Sequence, residues 1–162
     1  MEERWFSISI EGDGYSWASG GTDSLLTVVE VLEAWQGGVR VRELSARFPF
    51  MHYDELAEAR ESGDPVSFQW NRLVEDEQFS SVWPLLRQLR SNSQLRALFP
   101  FLSRGTLRLA KDYSDRAAGE IFIMPLRDGR YRIESTDPRS EEMEVASMEE
   151  VTDAALSVLG SL

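Results

Sequence analysis

The hydrophobic period changes along the chain, and these changes constrain the fold more than any other feature. Residues 5–10 alternate apolar and polar, as in a half-buried β-strand, and "EGDG" then predicts a tight turn into a second strand. From Thr22 to Leu102 the apolar residues recur at helical spacing instead. After Gly105 the period returns to two, and Ser147 opens a last helical stripe.

This order predicts an α+β fold with an antiparallel sheet built from an N-terminal hairpin and a C-terminal meander. We expect a single domain over residues 1–162, because a chain of this length buries enough apolar surface for one core. The expected parts are a hairpin, a central all-helical segment, a meander and a C-terminal helix, over residues 1–20, 22–102, 105–146 and 147–162.

A nine-residue pattern occurs twice, as "ELSARFPFM" at residues 43–51 and "QLRALFPFL" at residues 94–102. In each copy a short helix is expected to run into Phe-Pro-Phe, because proline disfavours the helical conformation of the residue before it. The favoured interpretation is structural, with each aromatic pair docking a helix end on the core. The alternative is a pair of aromatic clamps on one ligand.

The composition excludes several classes of protein. The chain carries 17 basic and 28 acidic residues, and its net charge of −11 repels phosphate backbones, so nucleic acid is not expected as a partner. Without cysteine there are no disulfides, thiolate nucleophiles or thiolate metal ligands. One histidine and no phosphate-binding motif lead us to expect neither a metal nor a cofactor.

Membrane association and secretion are not expected either. No apolar run approaches the roughly 20 residues that a membrane span needs. The first ten residues, "MEERWFSISI", are acidic at the start and carry too short an apolar stretch for a signal peptide. We therefore expect a cytoplasmic protein.

The segment "FPFMHYDE" contains the candidate catalytic residues. His52 is the one side chain whose ordinary pKa suits proton transfer at neutral pH. Asp54 could orient its imidazole for general-base catalysis, and Tyr53 could donate a proton. The alternative is structural, with Asp54 capping the next helix and His52 at the surface. Whether the protein is an enzyme stays open.

Charge is distributed unevenly, which predicts a binding surface. Residues 87–116 carry seven cations and two acids, whereas residues 134–153 carry eight acids and one cation. We expect Arg87, Arg104 and Arg108 to form a positive pocket for an anionic partner, such as an acidic peptide segment. The alternative is that the two stretches neutralise each other through internal ion pairs.

The aromatic content predicts a second binding surface. Five tryptophans and eight phenylalanines exceed what one small core readily hides. Trp17 and Trp5 are expected on the outer face of the first hairpin. This predicts contact with a protein or peptide partner, or a homo-oligomer.

Three segments, "WASGGTDSLLTVVEVLEAWQGGVRVRELSARFPF", "QLRALFPFLSRGTLRLAKD" and "GRYRIES", resemble an actinobacterial family of unknown function. Members of that family are usually labelled natural product biosynthesis proteins, and the resemblance extends in order over residues 4–160. It implies a genomic neighbourhood and no mechanism. Related sequences commonly carry Ser-His after the second Phe-Pro-Phe, where this chain has Ser103 and Arg104.

Three functions follow as hypotheses. The first is an accessory protein of bacterial natural product biosynthesis that binds a peptide precursor or a modifying enzyme, and the absence of catalytic motifs favours it. The second is a small cofactor-free acid–base enzyme acting on a peptide-like substrate. The third is an immunity protein, which the acidity would suit.

Overall fold

The structure is a computed structural model that describes residues 4–162, apart from the side chain of Arg116. Residues 1–3 of the expected hairpin segment lie outside the described residues. The chain divides into two compact units, of which unit 1 ends at Pro65 and unit 2 runs from Val66 to Leu162. The predicted α+β fold, with its hairpin, helices, meander and last helix, is confirmed, but the hairpin and the meander form two separate sheets instead of one. The single domain over residues 1–162 stays a prediction.

The elements follow one another in the predicted order. The strands are β1 (Phe6–Gly12), β2 (Tyr15–Thr22), β3 (Phe99–Ser103), β4 (Thr106–Ala110), β5 (Glu120–Pro125), β6 (Tyr131–Ser135) and β7 (Met143–Val145). The α-helices are α1 (Leu25–Gln36), α2 (Val41–Arg47), α3 (Glu55–Ser62), α4 (Pro65–Glu75), α5 (Trp83–Ser91) and α6 (Met148–Leu159). Short 3-10 helices cover Glu77–Val82, Leu95–Ala97 and Arg116–Ala118.

In unit 1 the first Phe-Pro-Phe packs into the apolar cluster formed by the hairpin and α1. Phe48 ends α2 and is buried, and Met51 is fully buried behind it. The next residue, His52, exchanges two backbone hydrogen bonds with Ser19 of β2, at 2.9 and 2.7 Å. A Cβ atom added to Gly20 would lie 2.3 Å from the carbonyl oxygen of Phe50, so only glycine permits this approach.

Unit 2 is built on a five-stranded antiparallel meander in the order β3-β4-β5-β6-β7. One face packs against α5 and α6 in an apolar cluster whose sheet residues include Leu107, Leu109, Ile121, Ile123 and Ile133. On the opposite face the register aligns Phe101, Arg108, Phe122 and Glu134 in one row across four strands. Arg108, one of the residues predicted to bind a partner, lies in this row.

The second Phe-Pro-Phe differs from the sequence prediction. Phe99 opens β3 instead of ending a helix, and the helix expected from Gln94 is a single 3-10 turn. The meander thus begins before residue 105, and the helical segment ends before residue 102. Pro100 is compatible with a strand here because β3 lies at the edge of the sheet, where a missing N–H leaves no ladder bond broken in the interior.

Helix α1 buries only part of its apolar surface. Val31 and Ala34 are buried and Val28 and Trp35 pack beside them, whereas Leu25, Val29 and Leu32 are exposed. The hydroxyl of Ser24 caps the helix by accepting from the backbone N–H of Thr27 at 3.2 Å. No helix among residues 4–162 is both long and apolar enough to span a membrane.

Candidate anion-binding cleft

The three arginines selected from the sequence lie in three different surroundings. The guanidinium of Arg87 lies over the ring of Trp83, 5.2 Å from its centroid. Arg104 occupies the exposed turn between β3 and β4, with a φ of 51°. Arg108 lies within β4. Among the described contacts these three residues share no neighbour, and a pocket formed by all three stays a prediction.

Arg108 is engaged within the sheet. It donates from Nε and Nη2 to Oε2 of Glu120, with an Nε–Oε2 distance of 3.2 Å. Its guanidinium lies 5.4 Å from the ring centroids of Phe101 and Phe122 on the two neighbouring strands. Glu120 is buried, and its backbone N–H donates to Oγ1 of Thr136 at 2.9 Å. The charge of Arg108 is therefore satisfied by the fold.

The acidic residues within 134–153 pair with arginines of the same meander. The ion pairs are Arg130–Glu144, Arg132–Glu142, Arg132–Glu144 and Arg139–Asp137, with N–O distances from 2.8 to 3.1 Å. None of the cations from Arg87 to Lys111 forms an ion pair with residues 134–153 in the described part of the chain. Mutual neutralisation of the two stretches is therefore wrong for these residues, whereas the side chain of Arg116 lies outside the described atoms.

A cleft on unit 2 brings two cations of the basic stretch together. It has a volume of about 470 Å³ and lies between the start of α4, the end of α5 and the 3-10 turn that follows α5. Its lining residues are Val66, Ser67, Trp70, Arg90, Ser93, Arg96 and Ala97. The cleft is open to solvent, because Ser93, Arg96 and Ala97 are all exposed.

Local hydrogen bonds hold the walls of the cleft. The indole of Trp70 is buried, and its Nε1–H donates to the carbonyl oxygen of Leu98 at 3.0 Å. The side-chain oxygen of Asn92 accepts hydrogen bonds from the backbone N–H groups of Gln94 and Leu95, at 2.9 and 3.2 Å. Asn92 thereby ends α5 and starts the 3-10 turn, which places Ser93 and Arg96 beside the end of the helix.

The two arginines of the cleft keep hydrogen-bonding capacity for a ligand. Arg90 donates from Nη2 to Oδ1 of Asn71, which uses one of the five N–H donors of its guanidinium. Arg96 is exposed, and neither arginine forms an ion pair with any residue that the structure describes. Guanidinium groups bind carboxylate or phosphate oxygens through charge-assisted hydrogen bonds.

The helix break between Arg90 and Arg96 is a sequence signal for this pair. Arg90 lies in the last turn of α5, and "SNS" breaks the helix directly after it. A chain reversal at that break brings the following arginine, Arg96, back toward the helix end. Arg104 and Arg108, which were expected to bind because of their positions in a turn and a strand, do not line this cleft.

The described hydrogen bonds of His52, Tyr53 and Asp54 lead to other residues, and a catalytic role for the three stays a prediction. His52 is exposed, and its described hydrogen bonds are those of its backbone. The carboxylate of Asp54 accepts from the backbone N–H of Leu56 at 2.7 Å as the N-cap of α3. The hydroxyl of Tyr53 donates to Glu58 at 3.4 Å. Among the described residues no group of three metal-ligating side chains converges.

The Tyr53 hydroxyl belongs to a small polar cluster with Arg42 and Glu58. Arg42 pairs with Oε1 of Glu58 at 2.7 Å. The hydrogen bond to Tyr53, followed by the charge of Glu58, raises the pKa of Arg42 above its ordinary value. Because a guanidinium is already permanently charged at neutral pH, this shift creates no acid or base for catalysis.

Trp17 contributes to the interior of unit 1 and Trp5 to its surface. Ile10 pairs with Ala18 and Glu11 with Ser16, so Trp17 is the extra residue of a β-bulge. It packs against the apolar cluster, 6.0 Å from the ring centroid of Trp35. Trp5 is 69% exposed. The expected pairing of both indoles on an outer face thus fails for Trp17.

The cleft lies in a region that matches a known family. The model of a family of unknown function (DUF6193) matches residues 64–162. The chain belongs to this family. The DUF6193 region coincides with unit 2 apart from the two residues before it, so it contains the whole cleft. Comparisons with curated proteins and with solved structures found no match.

Proposed function

We propose that the protein is a cytoplasmic accessory protein of natural product biosynthesis in actinobacteria. In this proposal it binds an acidic segment of a peptide precursor or of a modifying enzyme. The observation that carries the proposal is the cleft of unit 2, where Arg90 and Arg96 lie together without a described ion-pair partner. The resemblance of the sequence to a family with that label supports the biosynthetic setting.

The shape of the cleft favours a chain segment over a small enclosed ligand. Its volume of about 470 Å³ lies within the range of ligand pockets, but exposed residues such as Arg96 and Ala97 leave it open to water. An open cleft can admit two or three side chains of a peptide that continues beyond it. Ser93, which is exposed, adds a hydroxyl group to the lining.

The same openness argues for binding over catalysis. An acid–base enzyme without a cofactor relies on a group of suitable pKa held against the substrate in a site that excludes water. The cleft is lined by arginines, serines and apolar residues, and none of these is an ordinary general base at neutral pH. His52, the alternative base, is exposed, and Asp54 is engaged as a helix cap.

The experiment measures binding of a fluorescein-labelled peptide of about eight glutamates by anisotropy, at salt concentrations from about 50 to about 300 mM. The test variant is Arg90→Ala with Arg96→Ala. The matched control is Arg87→Ala with Arg104→Ala, which changes the net charge by the same amount, from −11 to −11 − 2 = −13. Both pairs lie in the basic stretch, but only the first pair lines the cleft.

We expect the cleft variant to bind about tenfold more weakly than the control, because it loses charge-assisted hydrogen bonds that the control retains. The difference should shrink as salt rises, since exposed charges are screened over about 8–10 Å. Equal weakening of both variants would mean that the peptide senses only net charge. Selective weakening by the Arg87 and Arg104 changes would place the site at those residues instead.

A further inference from the structure

The apolar surface of helix α1 extends beyond the side that packs against unit 1. Val31 and Ala34 are buried, and Val28 and Trp35 pack beside them in the apolar cluster. On the other side Leu25, Leu26, Val29 and Leu32 are 62%, 69%, 43% and 43% exposed. A surface helix usually confines its apolar residues to the stripe that faces the core. The exposed side of α1 therefore has the composition of an interface.

The exposed face of α1 consists of two parallel rows. Leu25, Val29 and Leu32 follow one another at spacings of four and three, and form an apolar row about 10 Å long. The second row lies beside it at the same spacing and consists of Leu26, Glu30 and Glu33, all exposed. One row thus offers hydrophobic contact and the other offers two carboxylates along its edge.

The charge of this face decides which occupant fits it. No residue of α1 is basic, and Asp23, just before the helix, is a further exposed acid. A second copy packed through the same face would oppose two acidic rows, and like charges on adjoining helices destabilise the contact. Anionic lipid would be repelled in the same way. An apolar stripe with a basic edge is the complementary surface.

We propose that the exposed face of α1 docks a cationic amphipathic helix of a partner protein. Leucine-like side chains of that helix pack on Leu25, Val29 and Leu32, and its lysines or arginines pair with Glu30 and Glu33. This mode of recognition places apolar anchors at helical spacing and sets orientation by charge. The surface lies on unit 1 and is independent of the arginine cleft, so it adds a second partner of opposite charge.

The test uses the full chain and a synthetic peptide of about 20 residues, with leucines at every third and fourth position and lysines elsewhere. A scrambled peptide of the same composition serves as the control for charge alone. Binding is measured by anisotropy of the labelled peptides. The variants are Val29→Ser with Leu32→Ser in the apolar row, and Glu30→Gln with Glu33→Gln in the acidic row. Glu75→Gln with Glu77→Gln, exposed at the end of α4 and beyond it, repeats the charge change elsewhere.

We expect the serine variant to bind the amphipathic peptide at least tenfold more weakly, with an unchanged circular dichroism spectrum because both residues are partly exposed. The Glu30 and Glu33 changes should weaken binding several-fold, and the Glu75 and Glu77 changes should not. Equal binding of the scrambled peptide, or full binding by the serine variant, would overturn the proposal. A wild-type dimer in sedimentation that the serine variant abolishes would assign the face to a second copy instead.

Discussion

The carboxylate of Glu120 accepts two hydrogen bonds from the guanidinium of Arg108, although Glu120 is only 3% exposed. The pair joins β4 to β5 on the face of the sheet that does not contact α6. Phe101 and Phe122 flank the guanidinium from both sides and limit its contact with water. This arrangement explains why a cation selected from the sequence for partner binding is used within the fold.

We predict that Glu120→Ala lowers the free energy of unfolding by about 3 kcal/mol, because it leaves the charge of Arg108 partly buried without its partner. Urea denaturation measures the change. The matched control is Glu142→Ala, which breaks an exposed ion pair with Arg132 and should cost less than about 1 kcal/mol. Equal effects of the two substitutions would show that the Arg108–Glu120 pair behaves as a surface pair.

Gly20 is predicted to be intolerant of even one methyl group. Gly20→Ala would place Cβ 2.3 Å from the carbonyl oxygen of Phe50 and 2.8 Å from Sδ of Met51. We expect a loss of about 1–3 kcal/mol in the free energy of unfolding, because either the hairpin or the Phe-Pro-Phe segment must shift. Gly12→Ala is the control, since its Cβ would meet Trp17 at an ordinary 3.4 Å. A melting temperature that is equally low for both variants would contradict this prediction.

Both Phe-Pro-Phe motifs are predicted to stabilise the fold through their first phenylalanine. Phe48 is 6% exposed and Phe99 is 1% exposed, whereas Phe50 and Phe101 are only partly buried. Phe48→Ala and Phe99→Ala should each cost about 3–5 kcal/mol, and the same change at Phe50 or Phe101 should cost less. If Phe48→Ala or Phe99→Ala melted like the wild type yet lost partner binding, the motifs would be ligand clamps.

The stability of the meander is predicted to decrease in acid partly through Asp137. The side-chain hydrogen bond from Arg139, together with that from its backbone N–H, lowers the pKa of Asp137 below its ordinary value. A carboxyl whose pKa is lower in the folded state stabilises that state above the unfolded pKa. This contribution is lost as the pH falls through the folded pKa.

Arg139→Ala should therefore raise the pKa of Asp137 part of the way to its ordinary value, since the backbone hydrogen bond remains. A carboxyl-detected NMR titration from about pH 2 to about pH 6 measures this shift. Arg130→Ala is the matched control, because Arg130 lowers the pKa of Asp128 in the same way and does not contact Asp137 among the described pairs. No movement of the Asp137 pKa in Arg139→Ala would refute the assigned cause.

The sequence by itself determined the kind and order of most elements, because these depend on local interactions. Alternation over residues 5–10 and the positive φ accepted by Asp13 and Gly14 suffice for the first hairpin. "RDGR" specifies the β5–β6 hairpin in the same way, with Gly129 at a φ of 83°. Helix ends at Gly37 and Gly63 likewise follow from neighbouring residues.

Only the tertiary structure decided which faces and which cations meet, because these depend on residues far apart in the sequence. The second Phe-Pro-Phe became a strand because β4 pairs with it along its whole length, whereas the first copy is followed by a single bridge between His52 and Ser19 of β2. Helix α1 carries apolar residues over more of its surface than it buries, so its sequence does not encode which of them pack inward. Arg90 and Arg96 line one cleft because the chain turns at Asn92 and continues beside α4. The buried indole of Trp70 holds this path by donating a hydrogen bond to the carbonyl oxygen of Leu98.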